Sequence, residues 1–137
     1  MIVRKNTSTF TRDGLKITWQ FYPDSGTTSE NGALALSTSV TGSSSFSGYS
    51  FYAVGSYDEI EIRRYDNGSV ATSTAAQSAS LSTDAWNTLE ATLDSSSLTM
   101  SFEGDSVTLT DSTYSDVLLG FNAFGASFFD DVVFSEV

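Results

Sequence analysis

The residues best placed to do chemistry in this chain of 137 residues lie in Asp58-Glu59-Ile60-Glu61-Ile62-Arg63. In an extended strand alternate side chains share a face, so Glu59 and Glu61 stand together with Ile60 and Ile62 behind them. Two neighbouring carboxylates are the machinery of glycoside hydrolysis, one as nucleophile or base and the other as acid. The next position on that face is Arg63, followed by Arg64. A cation there lowers a neighbouring carboxyl's pKa and spoils a general acid. The plainer reading of Glu59-x-Glu61-x-Arg63 is a solvated strand face. The chain has no histidine and no cysteine. Thiolate nucleophiles, zinc–sulfur sites and every Ser-His arrangement are therefore absent. Any chemistry has to run on carboxylates, and binding is favoured over catalysis.

Sugars bind by laying apolar C–H faces on exposed rings, with a few polar groups fixing orientation. The tyrosines Tyr52, Tyr57, Tyr65 and Tyr114 are the surface candidates, with Arg63 and Arg64 as polar partners. Of these, Tyr52, Tyr57, Arg63 and Tyr65 form the candidate carbohydrate-binding set. Phe21, Phe51, Phe102, Phe128 and Phe134 fit core positions by alternation, and Trp19 shares a face with Leu15, Ile17 and Phe21.

The elements that must position these residues are strands. Leu15–Phe21 alternates strictly, and Pro23-Asp24-Ser25-Gly26 ends it as a turn. A weaker strand over about Ala33–Val40 runs into Thr41-Gly42-Ser43-Ser44-Ser45, the best candidate for a mobile loop. Tyr49–Val54 and Asp58–Tyr65 read as neighbours, and Asp66-Asn67-Gly68 reads as a hairpin turn. Val70–Gln77 reads as a polar strand, followed by Trp86–Leu93, Leu98–Phe102, Val107–Thr110, Val117–Phe121 and Phe128–Glu136. Asp94-Ser95-Ser96-Ser97 and Glu103-Gly104-Asp105 are turns between them. No segment sustains a helical period. About ten or eleven short strands with polar turns predict an all-β fold, a two-sheet antiparallel β-sandwich of the jelly-roll type, with residues 1–137 as a single domain.

The order Tyr49-Ser50-Phe51-Tyr52, Asp58–Tyr65 and Trp86–Ala91, closing on Phe128-Phe129-Asp130-Asp131-Val132-Val133-Phe134, resembles the concanavalin A-like lectin/glucanase jelly roll in its laminin-G-like form. The resemblance is clear over residues 49–137 and vague over 1–48. It implies a sugar- or protein-binding sandwich, with the binding site on the concave sheet or in the loops and Trp86 as a buried anchor. Glucanases of this fold carry three carboxylates on one strand, as Glu-x-Asp-x-Glu or Glu-x-Asp-x-x-Glu. Here Arg63 or Arg64 holds the place of the last one, so the resemblance carries no catalytic residue over. In related carbohydrate-binding modules a closing Asp-Asp-Val strand gives a carboxylate to a structural calcium, which by position implicates Asp130 or Asp131 as metal ligand. The plainer alternative is that one aspartate faces water while the other accepts backbone hydrogen bonds at a sheet edge.

Charge narrows the partners. Six basic residues against 17 acidic ones give a net charge of −11. A nucleic acid needs cations to replace its counterions, so it is excluded as a partner, and an anionic membrane surface fails on the same ground. No apolar run is long enough to span a bilayer, so membrane insertion is not expected. The start Met1-Ile2-Val3-Arg4-Lys5 lacks the apolar stretch of a secretory signal. Asn6-Thr7-Ser8 and Asn67-Gly68-Ser69 match glycosylation sequons. At this Ser/Thr content they carry little weight. The expected function is a non-catalytic recognition module that binds a glycan or cell-surface polysaccharide. It would sit on a virion or another extracellular surface, as a tail-fibre, turret or decoration domain. The alternatives are an assembly subunit contacting other virion or surface subunits without sugar, in which Phe121–Ala126 is a candidate patch, and a glycoside hydrolase. Scarce lysine beside abundant Asp, Ser and Thr also suggests adaptation to high salt. If so, the midpoint of thermal unfolding rises from low to multimolar salt as self-repulsion is screened, whereas a salt-independent midpoint removes that idea.

Overall fold

Alternation carries directly into burial. In Leu15–Pro23, Ile17, Trp19 and Phe21 are buried while Lys16, Thr18, Gln20 and Tyr22 stay partly open. The computed structural model describes residues 9–24, 31–38, 46–73, 77–124 and 127–137. Among them are twelve strands: β1 (Phe10–Thr11), β2 (Leu15–Pro23), β3 (Asn31–Ser37), β4 (Gly48–Val54), β5 (Glu59–Asp66), β6 (Ser69–Ser73), β7 (Gln77–Ser78), β8 (Asn87–Leu93), β9 (Ser97–Phe102), β10 (Asp105–Thr110), β11 (Asp116–Phe124) and β12 (Ser127–Glu136). One turn of 3-10 helix, Gly55–Tyr57, joins β4 to β5.

They form two antiparallel sheets. One, of seven strands, runs β1-β11-β3-β4-β5-β6, with β7 also paired to β5; the other, of five, runs β10-β9-β8-β2-β12. Their inner faces make one core. Leu34, Leu36, Phe51, Ile60 and Ile62 from the first sheet meet Trp19, Phe21, Leu89, Leu93, Leu98 and Met100 from the second. Trp19 and Phe51 touch edge to face across the gap at 6.5 Å. Fully burying a ring such as Phe51 stabilises the fold by about 2–3 kcal/mol. Gly32 is needed where β3 passes the core, since a Cβ there would run into the rings of Phe21 and Phe129. The predicted all-β sandwich is the observed fold, and the Asn67-Gly68 hairpin is present with both residues at positive φ.

Several expectations need correction. Val70–Gln77 is not one strand: Ser69–Ser73 and Gln77–Ser78 pair separately with β5. Residues 41–45, the sequon at Asn6, and Ser25-Gly26 lie outside the described residues. Trp86 is no buried anchor but 47% exposed. It precedes Asn87, the residue that does face inward, where its side chain bonds the Phe21, Ser82 and Ala85 carbonyls and the Ser82 amide. Phe128 and Phe134, expected in the core, are 55% and 45% exposed. For Phe128 the reason is a bulge between Asp130 and Val133, where Asp131 takes a φ of 47°. One extra residue reverses the alternation, so Phe129 and not Phe128 pairs against Phe21. Phe134, beyond the bulge, does pair with core-facing Ile17 but lies at the rim beside Phe10, which leaves it half open.

One end of the sandwich is closed by a polar network on Asp111, just after β10. Its carboxylate accepts bonds from the Tyr49 hydroxyl (2.7 Å), Arg64 Nη1 (2.6 Å) and the Thr113 amide (2.8 Å). Its carbonyl accepts Arg12 Nη2 at 2.5 Å, and the Arg12 guanidinium lies 5.1 Å from the Tyr49 ring centre. Burial would push the Asp111 carboxyl up, but the bonds from Tyr49, Thr113 and Arg64 outweigh it and hold the pKa at about 2. Burial and the bond to Asp111 in turn push the Tyr49 phenol up to about 12. A depressed carboxyl stabilises the fold fully above the unfolded value near pH 4 and loses that contribution as pH falls towards 2. Asp111→Asn is therefore expected to cost about 2 kcal/mol at neutral pH. In denaturant titrations the gap to the wild type narrows steadily between pH 5 and pH 2. A gap that stays constant with pH removes the charge from the explanation.

Candidate functional site

The strand that carries the paired glutamates presents two different faces. Ile60 and Ile62 of β5 enter the core, while Glu59, Glu61, Arg63 and Tyr65 point to the outer face of the seven-stranded sheet. The neighbouring strand β4 is buried along its whole length. Its inward residues are Tyr49, Phe51 and Ala53, and its outward ones are Ser50, Tyr52 and Val54. Register sets Val54 opposite Glu59, Tyr52 opposite Glu61 and Ser50 opposite Arg63. Tyr52, Val54 and Ala33 form a small apolar cluster on this outer face, with Tyr65 packed against it.

Together these side chains line a groove of about 480 Å³ bounded by Tyr52, Val54, Tyr57, Glu59, Glu61, Arg63 and Tyr65. The Tyr52 and Tyr65 hydroxyls are hydrogen-bonded to each other at 2.8 Å. Arg63 donates Nε to Glu61 Oε2 at 2.8 Å, and its Nη2 reaches the same oxygen at 2.6 Å. Its guanidinium also lies 4.6 Å from the centre of the Tyr52 ring. A ring face and a carboxylate thus fix the arginine before any ligand arrives. Burial and the bond to Tyr65 push the Tyr52 phenol well above its ordinary value. The bond to Glu61 raises Arg63 further above its ordinary range, with burial opposing and Tyr65 adding. At neutral pH the Tyr52 phenol stays a hydrogen-bonding hydroxyl, and Arg63 stays a cation.

The structure brings Tyr52, Tyr57, Arg63 and Tyr65 to one groove, with Tyr57 in the turn between β4 and β5 and the other three on the outer sheet face. It places Tyr114 and Arg64 elsewhere: the Tyr114 hydroxyl donates to Asp66 (2.6 Å), and Arg64 belongs to the Asp111 network. Glu59 and Glu61 do share a face, but Glu61 is the partner of Arg63. Asp130 and Asp131 lie apart from the groove, on the exposed bulge of edge strand β12, where the Asp130 carboxylate accepts the Asp131 amide at 2.8 Å. Among the described residues no three or more acidic side chains gather as a metal site. Two adjacent carboxylates fall short of the six to eight oxygens calcium takes. Sequence reasoning missed the surface cluster of Trp86, Tyr22 and Phe128, with rings 5.3 and 6.0 Å apart. The signal was there for Trp86, which is in phase with Thr88 and Glu90 and out of phase with Leu89, Ala91 and Leu93.

No protein-family model matches this sequence, and no curated protein does. Solved structures do match in fold. A carbohydrate-binding module, CBM66 from Bacillus subtilis, superposes with a TM-score of 0.78 at 13% identity, over 95% of this chain and 78% of that one. An ancestral congerin superposes with a TM-score of 0.70 at 13% identity, over 93% of this chain and 94% of the other. The galectin LEC-6 of Caenorhabditis elegans gives 0.67 at 11% identity, over 98% and 95% of the two chains. The fold is therefore the lectin-like jelly-roll sandwich that the sequence resembles.

The groove's rings have separable roles. Tyr52 is 8% exposed and Tyr57 is 73% exposed. Tyr52→Ala is expected to lower stability by about 3 kcal/mol, as for other buried aromatic truncations. Tyr57→Ala should stay within about 0.5 kcal/mol of the wild type. Urea unfolding measures both, and a comparable loss for each variant would show that Tyr57 is also a structural residue.

Proposed function

We propose that this chain is a non-catalytic recognition module that binds a glycan in the groove between Tyr52, Tyr57, Arg63 and Tyr65. The observation that carries the reading is a preformed recess lined by three phenol rings, with the Arg63 guanidinium fixed over the ring of Tyr52. Rings accept the apolar faces of sugars, while hydroxyls and a guanidinium set hydroxyl orientation. The fold it shares with a carbohydrate-binding module and with galectins supports the same class of ligand. Against hydrolysis stands the Arg63–Glu61 pair. Two guanidinium nitrogens already engage one Glu61 oxygen, so that carboxylate serves to fix the cation. A place on a virion or cell surface is a further part of this proposal, supported by the acidic, Ser- and Thr-rich composition. Calcium at Asp130 and Asp131 is a separate proposal resting on two neighbouring carboxylates alone.

The test is a broad panel of soluble glycans at low and multimolar salt, each with calcium and with chelator. A reproducible hit is expected, with Tyr57→Ala and Arg63→Ala each weakening it at least tenfold and no sugar released from any ligand. Loss of the hit on chelation, restored by calcium and absent in Asp130→Asn/Asp131→Asn, would establish the metal. A hit that survives chelation removes the metal from recognition. Silence in all conditions overturns the glycan reading and favours assembly, for which edge strand β10 offers a regular ladder edge. Turnover of a β-glucan that Glu59→Gln abolishes would instead restore the hydrolase.

A further inference from the structure

The outer face of the five-stranded sheet, opposite the groove, carries exposed rings that the fold does not need. Tyr22 of β2 is flanked by Trp86 at the start of β8 and by Phe128 of β12, with ring centres 5.3 and 6.0 Å away and planes 63° and 66° to its own. Phe128 pairs with Tyr22 in the β12–β2 ladder, and Gln20 pairs with Thr88 in the next. The three rings therefore span neighbouring strands β12, β2 and β8, about 9.5 Å across at the usual strand spacing. Each outer ring is held edge-to-face against Tyr22, so its orientation is set without a ligand. About half of Trp86 and of Phe128 remains open to solvent.

The surroundings choose the occupant. Thr18, Gln20 and Thr88 continue the same face with neutral hydrogen-bonding groups. Asp130, opposite Gln20, adds one exposed carboxylate that can accept from a sugar hydroxyl, and further along Lys16 and Glu90 form an ion pair at 2.5 Å. On a chain of net charge −11 this is an aromatic strip with a polar border and one carboxylate. An anionic polymer gains nothing there and is repelled by the rest of the molecule. A second copy of the chain is disfavoured by area. The half-open Trp86 and Phe128, with the more covered Tyr22, offer roughly 250 Å², against the approximately 800 Å² per partner of a stable interface. A strip without walls grips any one sugar weakly, but a long or insoluble chain can occupy many such strips at once.

We propose that Tyr22, Trp86 and Phe128 form a second carbohydrate site, a stacking platform for neutral β-linked polysaccharide. It is independent of the groove on the opposite sheet. The test is co-sedimentation of the intact chain with microcrystalline cellulose and with chitin. Wild type and Tyr57→Ala should partition equally onto at least one polymer. Trp86→Thr and Phe128→Thr should each lower the partition constant about tenfold, with an unchanged unfolding midpoint, while Trp86→Phe should keep most of it. No depletion of the wild type on either polymer overturns the proposal, as does equal depletion of the threonine variants. A mass that rises with concentration in sedimentation velocity, and that Trp86→Thr returns to the monomer, assigns the strip to self-association and overturns it as well. A partition that Tyr57→Ala does not change belongs to this strip, so failure here and failure of the groove are read separately.

Discussion

The buried carboxylate of Asp111 is the constraint on which much of the rest depends. A sandwich of two sheets is apolar in its middle but must end somewhere, and at its ends backbone and charged groups meet the core. Here Asp111 follows the edge strand of one sheet and binds Tyr49 and Arg64 from two neighbouring strands of the other. Arg12, itself almost fully buried, ties in from the segment before β2 through the Asp111 and Ser95 carbonyls. Three distant parts of the chain are fixed by one side chain and its carbonyl. The geometry of β5 follows, because Arg64 is held on the inward side while Arg63 and Tyr65 must then face outward.

That division gives the groove its character. Strand β4 is central and buried on both faces, so Tyr52 cannot swing away, and its ring supplies a firm surface for the Arg63 guanidinium. Glu61 holds the same guanidinium from the neighbouring strand position. In a hydrolase two carboxylates must differ in proton affinity, and one of them must be free to give a proton up. Pairing Glu61 with Arg63 uses that face for fixing a cation instead. A recess whose polar groups are oriented in advance loses little conformational freedom on binding, which suits recognition.

The closing strand shows how a single residue redistributes chemistry. Asp131 adopts a left-handed backbone, a conformation aspartate tolerates better than most residues, and the Asp130 carboxylate caps its amide. The bulge turns Phe129 onto Phe21 and sends Phe128 to the outer face beside Tyr22. It also interrupts an edge strand that would otherwise offer a regular ladder to another chain. The acidic pair thus has a conformational role in the backbone whatever else it binds.

Much of the molecule was legible in its sequence. Strict alternation in Leu15–Phe21, Glu59–Arg63 and Leu89–Leu93, with Asn67-Gly68 and Glu103-Gly104 between strands, fixes an antiparallel all-β sandwich. Local periodicity and turn conformation suffice for that, because both act within a few residues. The same alternation put Glu59, Glu61 and Arg63 on one face, and the lack of histidine and cysteine set the limits of any chemistry. What alternation cannot carry is its own phase through a bulge, which turns Phe128 outward, nor the place of a sheet's rim, which leaves Phe134 half open. Tyr52 meets Arg63, Tyr65 and Glu61 across the β4–β5 hairpin, whose strands read as neighbours in the sequence. Arg64 meets Asp111, by contrast, only because two sheets assemble with a particular order and register. That contact joins residues far apart in the chain, and its energy depends on burial that exists only once the sheets have closed.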